Sequence, residues 1–483
     1  MSLFQGSSSS SRRTAAAVAL TVLAGGFGAY FLLTRRSNTK KSLASSPRPT
    51  SPRRKHWRKD ASFSQICTGV TLNPNERSSS FLKGAPSIST VTFFSGDVDS
   101  AAQHLEQRVA EMIVANPWLG GRLVTNRASK EVEIQVDGVP HPECFVRGER
   151  TASVADLLFK GGVPESLSDW LLLSGSPCFV SCGIGVGASL VDSPSSPFFK
   201  VSLVPLSLGG SPCFAVVTSL CHVVGDGHTF YALSKMLGVG ASVQALDPTR
   251  DKDADAKAGA LLGDAEAKLF SSPSVGLVFG FLANVLFRNS SKVLNVLEIS
   301  TSAIKDMKVS GASAASLPFV SSNDVLSSAF FRAAGLGVSF LAMNLRGRVP
   351  GLHSALAGNY ESLMYYHGSG DYAAPSDIRK SLTPDAGGVL RRVGNTPMPS
   401  FGDVAGGRTA VVSNWATFYE DANMPGGAKQ LVHMVLPDPK VRMPFMEVCV
   451  IFSPGGGRLA LFTNGSERVK NLVKELLGSV IAC

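Results

Sequence analysis

The stretch from Cys213 to Leu237, CFAVVTSLCHVVGDGHTFYALSKML, restricts the fold more than any other part of the chain. It opens with a run of apolar, β-branched and aromatic residues, which predicts a strand buried on both faces. A turn follows over 222–227, and TFYALSKML then has the pattern of a helix. A histidine at the end of such a strand can present one ring nitrogen to a cleft while a carboxylate four residues later turns back into the protein. We therefore expect His222 and Asp226 to belong to a functional site.

The pattern His-x-x-x-Asp occurs three times in the chain, beginning at His56, His222 and His367. At this composition we expect it about 0.35 times by chance, and about 0.03 times when glycine must follow the aspartate. His222, Asp226 and Gly227 form the extended pattern, whereas Ala61 follows the match at His56. Tyr372 follows the match at His367 in the sequence HGSGDY, which predicts a loop. The match at His222 is therefore the candidate site, and the match at His367 is interpreted as a chance occurrence.

The rest of the body alternates short β-rich segments with helical ones and shows no fixed repeat. The segments 88–98, 132–138 and 198–206 predict strands, and 101–117 and 323–335 predict amphipathic helices. This order predicts an α/β (α+β) fold with mixed sheets and two halves of similar size around a cleft. We expect an N-terminal subdomain over 61–245, a connector over 246–300 and a C-terminal subdomain over 301–483. Within the connector, VGLVFGFLANVLF (275–287) is too short to span a membrane and is either a buried helix or a segment at the membrane interface.

The excess of positive over negative charge is confined to the N-terminal part of the chain. Of the 46 Lys and Arg residues, 12 lie in residues 1–59, which contain no Asp or Glu. The remaining residues have 34 basic and 36 acidic side chains, a net charge of −2. This distribution argues against a nucleic-acid groove in the body and favours a membrane or targeting role for the N-terminal part.

The same N-terminal part predicts a membrane anchor. After a tail over 1–13, residues 14–33 contain no charged side chain, and 20 helical residues at about 1.5 Å each span a hydrocarbon core of roughly 30 Å. The basic, Pro- and Ser-rich segment 34–60 predicts a disordered tether near anionic headgroups. Ten basic residues follow the apolar stretch and two precede it, which predicts a cytosolic body on a single-pass membrane protein, with the endoplasmic reticulum as first expectation. A cleaved targeting peptide and a plastid membrane remain as alternatives.

Cysteine usage agrees with a cytosolic body. The eight cysteines are scattered, with no Cys-x-x-Cys pair and no histidine at zinc-finger spacing, so the sequence predicts neither a disulfide framework nor a metal site. Two glycosylation patterns, at Asn289 and Asn464, matter only for a lumenal body.

The segment His222–Gly227 resembles the His-x-x-x-Asp-Gly motif of the acyltransferases with the chloramphenicol acetyltransferase fold, which include the BAHD and the wax-ester synthase/diacylglycerol acyltransferase groups. Four further stretches are similar to family segments in the same order: NPWLGGRL (116–123), SSNDVLSSAFFRA (321–333), MNLRGRVPGLHSALAGNY (343–360) and VVSNWATF (411–418). The resemblance covers about residues 60–483.

The resemblance implies a role for each matching residue. His222 is expected to act as the general base, and Asp226 to pair with an arginine, Arg346 or the nearby Arg348, and so to hold the loop. Gly227 supports the motif. In the stretch VVSNWATF, Ser413 and Asn414 are candidate oxyanion donors, and Trp415 is a cleft or core residue.

The resemblance also implies a function. We expect a membrane-anchored O-acyltransferase that uses acyl-CoA as a co-substrate and needs no permanently bound cofactor or metal. The acceptor is expected to be a hydroxylated, lipophilic small molecule or lipid, the protein to be a monomer, and nucleic acid not to be a partner. The alternative is a catalytically inactive, membrane-tethered binding protein with the same fold.

Overall fold

The computed structural model describes residues 69–136, 143–148, 158–159, 162–193, 196–271, 280, 292–335, 337–394, 399–406, 408–437, 446–478 and 481. The tail, the predicted anchor over 14–33 and the tether over 34–60 lie outside these residues. Within them, no helix is both long and apolar enough to span a bilayer.

The described part contains fourteen strands in three sheets. They are β1 (Val70–Thr71), β2 (Ile88–Ser95), β3 (Arg122–Thr125), β4 (Val132–Gln135), β5 (Phe145–Arg147), β6 (Phe199–Leu208), β7 (Ser211–Leu220), β8 (Val293–Ile299), β9 (Val338–Asn344), β10 (Glu361–His367), β11 (Thr409–Asn414), β12 (Lys429–Val435), β13 (Met446–Phe452) and β14 (Leu459–Gly465). The sheets have the orders β1-β4-β3, β12-β2-β7-β6-β5 and β10-β9-β11-β13-β14-β8.

Eleven α-helices are described. They are α1 (Ser79–Gly84), α2 (Val98–Ala115), α3 (Leu167–Ser174), α4 (Pro177–Val180), α5 (Gly227–Lys235), α6 (Ala254–Ser271), α7 (Thr301–Ala314), α8 (Ser322–Ala334), α9 (Pro375–Ser381), α10 (Phe401–Gly406) and α11 (Glu467–Leu477). Short 3₁₀ turns occur at Pro117–Gly120, Gly187–Ser189 and Ser369–Asp371. The mixed α/β class predicted from the sequence is confirmed.

Strand β7 is buried on both faces, as its continuous apolar run predicts. Phe214 and Val216 pack with α2 and α5 on one side. Ala215 and Val217 point to the other side, where they meet α3 and residues of the six-stranded sheet. A two-residue turn with both glycines at positive φ, Gly209–Gly210 at +56° and +76°, joins β6 to β7, as type I′ hairpins require.

The remaining face of the six-stranded sheet packs on helices α7, α8, α9 and α11, and this layer forms the core of the C-terminal half. Strand β12 belongs to the C-terminal half by sequence but pairs antiparallel with β2 in the five-stranded sheet. The C-terminal half therefore contributes a strand to the sheet of the N-terminal half. The subdomain boundaries at 61–245 and 301–483 stay a prediction. Part of the predicted connector is strand β8 of the six-stranded sheet.

Of the apolar segment 275–287, the structure describes Gly280 alone. This residue is buried, and a Cβ placed on it would lie 2.8 Å from Cβ of Val404 in α10. At this position the contact favours the buried interpretation over the interfacial one.

Candidate active site

The candidate site begins where β7 ends. Cys221 is fully buried and burial raises the pKa of its thiol to about 12, so the thiol stays protonated. Residues 222–224 turn, and the carboxylate of Asp226 accepts a hydrogen bond from the backbone nitrogen of Thr229 (3.0 Å) as the N-cap of α5. The cap fixes the start of the helix and thereby the turn that carries His222.

Asp226 is paired with Arg346, the arginine that the resemblance favours. Nη1 of Arg346 lies 2.7 Å from Oδ2 of Asp226, and the two side chains are 1% and 2% exposed. The backbone nitrogen of Tyr360 also donates to Oδ2 (2.9 Å), and Oγ1 of Thr229 donates to Oδ1 (3.1 Å). Burial alone raises the pKa of Asp226, but Arg346 and these hydrogen bonds outweigh it and hold the pKa below its usual range. The carboxylate thus stays charged and fully engaged, which suits a structural clamp and not a base.

His222 is held by Asn359. The amide nitrogen of Asn359 donates to Oε1 of Glu76 (3.0 Å) and to the backbone oxygen of His222 (2.8 Å). Both of these groups only accept hydrogen bonds, so the amide oxygen must face the imidazole, where it lies 3.1 Å from Nδ1. That oxygen also only accepts, and Nδ1 must therefore carry the proton. In neutral His222 the free lone pair is consequently on Nε2.

A buried ion pair supports Asn359 from behind. Nε of Arg250 lies 2.8 Å from Oε2 of Glu76, and both side chains are at most 3% exposed. Glu76 accepts a second hydrogen bond from the backbone nitrogen of Asn359 (3.0 Å), and Arg250 donates to the backbone oxygen of Val224 (3.0 Å). Gly358 has a φ of +136°, and a Cβ there would lie 2.8 Å from the Arg250 guanidinium carbon, so only glycine fits. The pair fastens the Gly-Asn turn to the histidine loop.

The Nε2 side of His222 faces Glu361, a residue of the C-terminal half. The imidazole is 20% exposed, and the ring of Phe81 meets it edge to face with centroids 5.3 Å apart. Oε1 of Glu361, the first residue of β10, lies 3.7 Å from Nε2, beyond hydrogen-bond distance. The surrounding protein desolvates the Glu361 carboxyl and raises its pKa, although nearby His222 acts in the opposite direction.

The side chains of the candidate oxyanion donors, Ser413 and Asn414, form hydrogen bonds to other residues of the protein. Nε1 of Trp415 donates to Oγ of Ser413 (3.0 Å), and the amide of Asn414 donates to Oδ1 of Asn323 (3.2 Å). The Trp415 indole lies against the start of α5, since a Cβ on Gly227 would be 3.5 Å from its Nε1. Strand β11 therefore ends near the histidine loop, and the oxyanion role of Ser413 or Asn414 stays a prediction.

Four residues of this arrangement were not assigned from the sequence: Glu76, Arg250, Asn359 and Glu361. Asn359 lies in the family-like Gly-Asn stretch, which was a usable signal, and Glu361 follows two positions later. In the described part of the chain, no group of three or more His, Cys, Asp or Glu side chains is placed to hold a metal ion.

No family model and no curated protein sequence matches the chain. Solved structures do match it. F. graminearum TRI101 complexed with coenzyme A and deoxynivalenol aligns with a TM-score of 0.53 and 13% identity over 84% of this chain and 97% of that one. Vinorine synthase aligns with a TM-score of 0.51 and 14% identity over 87% and 95%. The first condensation domain of the calcium-dependent antibiotic synthetase, in complex with a substrate analogue, gives 0.50 and 13% over 86% and 99%.

The chain shares their fold. This is the acyltransferase fold that the resemblance of His222–Gly227 and the four ordered segments predicts. At 13% and 14% identity the likeness concerns the fold alone, so the activity must be argued from the site.

Proposed function

We propose that the protein is an acyl-CoA-dependent O-acyltransferase with His222 as the general base. The observation that carries the proposal is the hydrogen-bond chain from Glu76 through Asn359, which fixes the imidazole with its lone pair on Nε2, the nitrogen on the side of Glu361. A general base needs an unprotonated nitrogen within reach of the acceptor proton. The complex of F. graminearum TRI101 with coenzyme A and deoxynivalenol supports a co-substrate and a small-molecule acceptor on this fold.

The proposed reaction is a direct transfer. Nε2 takes the proton of the acceptor hydroxyl as its oxygen bonds to the thioester carbonyl carbon. The tetrahedral intermediate then collapses, the carbon–sulfur bond breaks, and Nε2–H returns the proton to the sulfur of coenzyme A. While Nε2 carries the proton, the imidazolium keeps its Nδ1 hydrogen bond to Asn359, so the ring does not reorient between the two steps.

Turnover of the purified full-length protein in detergent tests the proposal. The protein is incubated with acyl-CoA donors from acetyl to palmitoyl and with alcohols of increasing chain length, and free thiol and ester are measured by a thiol-reactive dye and mass spectrometry. We expect stoichiometric thiol and ester, both dependent on the acceptor. Tight binding of acyl-CoA without any ester would contradict the proposal and favour the inactive binding protein.

The membrane anchor is a further part of the proposal. An uncharged segment over 14–33 followed by ten basic residues supports a single-pass protein with a cytosolic body, in the endoplasmic reticulum or alternatively a plastid membrane. A lipophilic acceptor concentrates in that bilayer, because each buried methylene contributes about 0.8 kcal/mol. Fractionation of cells should place the full-length chain with membranes and a chain lacking residues 1–60 in the supernatant. A glycosidase-sensitive mass shift at Asn464 would instead place the body in the lumen.

A further inference from the structure

Glu361 lies beside the proposed base, and among the described residues only His222 lies within ion-pair distance of its carboxylate. It is the first residue of β10, opposite Asn344 of β9 in the sheet register. Its side chain is 32% exposed, and Oε1 is 3.7 Å from Nε2 of His222. Among the described residues, none donates a hydrogen bond to this carboxylate. A carboxylate in a partly buried place is ordinarily hydrogen-bonded, so this one is available to a ligand.

The positions of His222 and Glu361 determine which hydrogen-bonding groups a ligand must have. Nε2 of His222 is a lone-pair acceptor because Nδ1 carries the proton, and the Glu361 carboxylate offers acceptors only when ionised. Two acceptors 3.7 Å apart that do not bond each other can each receive a hydrogen from one bound molecule. A substrate that forms hydrogen bonds to both His222 and Glu361 must therefore carry two polar hydrogens side by side.

We propose that Glu361 is a specificity-determining residue that selects acceptors with a vicinal diol, one hydroxyl donating to His222 and its neighbour to Glu361. This inference rests on the proposed function. The first hydroxyl gives its proton to Nε2, its oxygen bonds to the acyl carbon, the carbon–sulfur bond breaks, and the proton passes to the coenzyme A sulfur. The neighbouring hydroxyl stays intact, so the products are a monoester of the diol and free coenzyme A.

A diol fits this pair of groups better than an amine or a simple alcohol. A carboxylate beside an amine favours its charged ammonium form, which has no lone pair for attack. A simple alcohol has one hydrogen and leaves Glu361 unpaired. A hydroxyl can donate to an ionised carboxylate or accept from a protonated carboxyl, so a diol also satisfies Glu361 when its pKa is raised by burial.

The test compares three acceptors of equal chain length: octanol, a vicinal octanediol and octylamine. They are assayed with the full-length protein and the donor that gives the fastest thiol release. A hydrogen bond to a charged group predicts a kcat/KM about 10-fold to 100-fold higher for the diol than for octanol. In Glu361→Leu this ratio should fall to about one, and in Glu361→Gln, which keeps an acceptor oxygen without charge, it should fall several-fold.

Glu298→Leu is the matched control, because Glu298 is also a strand glutamate with 32% side-chain exposure but lies in β8. Its diol preference should equal that of the wild type. A ratio near one in the wild type, a faster reaction of octylamine than of the diol, or an unchanged ratio in Glu361→Gln overturns the inference while leaving the transfer activity established. If Glu361→Leu does not fold by circular dichroism, Glu361→Gln decides. Absence of thiol release with every donor and acceptor contradicts the proposed function itself and overturns the inference with it.

Discussion

The His-x-x-x-Asp segments that begin at His222 and His367 place their aspartates in nearly the same surroundings. Asp226 and Asp371 are both buried, and each forms an ion pair with an arginine, at 2.7 Å and 2.9 Å. Each arginine also lies over a tyrosine ring, at 5.0 Å and 4.2 Å from its centroid. The aspartate–arginine pair therefore does not by itself distinguish a catalytic loop from a structural one.

The two aspartates differ in which parts of the chain they connect. Asp226 joins the histidine loop of the N-terminal half to Arg346 and Tyr360 of the C-terminal half. Asp371 bonds the backbone nitrogen of its own His367 (2.8 Å) and stays within one half. The sequence predicted a loop around His367, but this residue ends strand β10 opposite Val338, because pairing with β9 extends the strand to it.

The carboxylates that face the two imidazoles differ as well. Asp403 lies 3.5 Å from Nε2 of His367, and hydrogen bonds from the side chain and backbone of Ser400 lower its pKa. Glu361, which faces His222, receives no hydrogen bond from a described residue, and burial raises its pKa. An engaged carboxylate completes a structural cluster, whereas the unengaged one leaves a place for a substrate.

Replacing His222 and His367 should give the largest difference in activity between the two segments. His222→Ala should lower kcat/KM for ester formation by about 10² to 10⁴, the range of general acid–base catalysis, because Nε2 is lost. His367→Ala should change it by less than about twofold. Thiol release at saturating acyl-CoA measures both. A large loss in His367→Ala with an active His222→Ala would reverse the assignment.

Replacing Asp226 and Asp371 should lower stability by similar amounts but should lower the catalytic rate in only one of the two variants. Asp226→Ala and Asp371→Ala each remove the carboxylate that balances the charge of a buried arginine and should each lower the free energy of unfolding by about 3 to 5 kcal/mol. Urea denaturation followed by circular dichroism measures this. Only Asp226→Ala should also lower kcat per folded molecule, because it releases the His222 loop. Equal rate losses in both variants would show that the rate follows stability alone.

The local part of the site could be predicted from the sequence, and its long-range part could not. Strand β7, the turn and helix α5 follow from neighbouring residues, so the place of His222 was predictable. The pairing of Asp226 with Arg346 required a resemblance. Glu76 contacts Asn359 across 283 positions of the chain, and no local pattern carries such a contact. Strands β1, β3 and β5 were missed because they have at most four residues. Strands β8, β10 and β12 were missed as well, and two of them, β8 and β12, pair with strands that are distant in sequence, β14 and β2.

Asn359 tests how the imidazole is oriented. Asn359→Leu removes the acceptor for Nδ1–H and should lower kcat by about tenfold to a hundredfold, since the wrong tautomer becomes accessible. Nitrogen-15 NMR of the His222 ring should then show a mixture of tautomers in place of Nδ1–H alone. The control is Asn126→Leu, which removes a similar side-chain contact, to Glu133 of the three-stranded sheet. Unchanged tautomer signals in Asn359→Leu would contradict the proposed chain of hydrogen bonds.

The smallest effect concerns the two glycines of the His222 loop. A Cβ on Gly227 would meet Trp415 at 3.5 Å, an ordinary contact, whereas a Cβ on Gly225 would lie 2.8 Å from Cγ2 of Thr229 and 3.0 Å from Leu220. Thr229 cannot move aside easily, because its hydroxyl bonds Asp226. Gly225→Ala should therefore destabilise the fold by about 1 kcal/mol or more, and Gly227→Ala by less. Urea midpoints at equal m-values measure the difference. The opposite order would mean that the motif glycine is required by the backbone and not by the space around it.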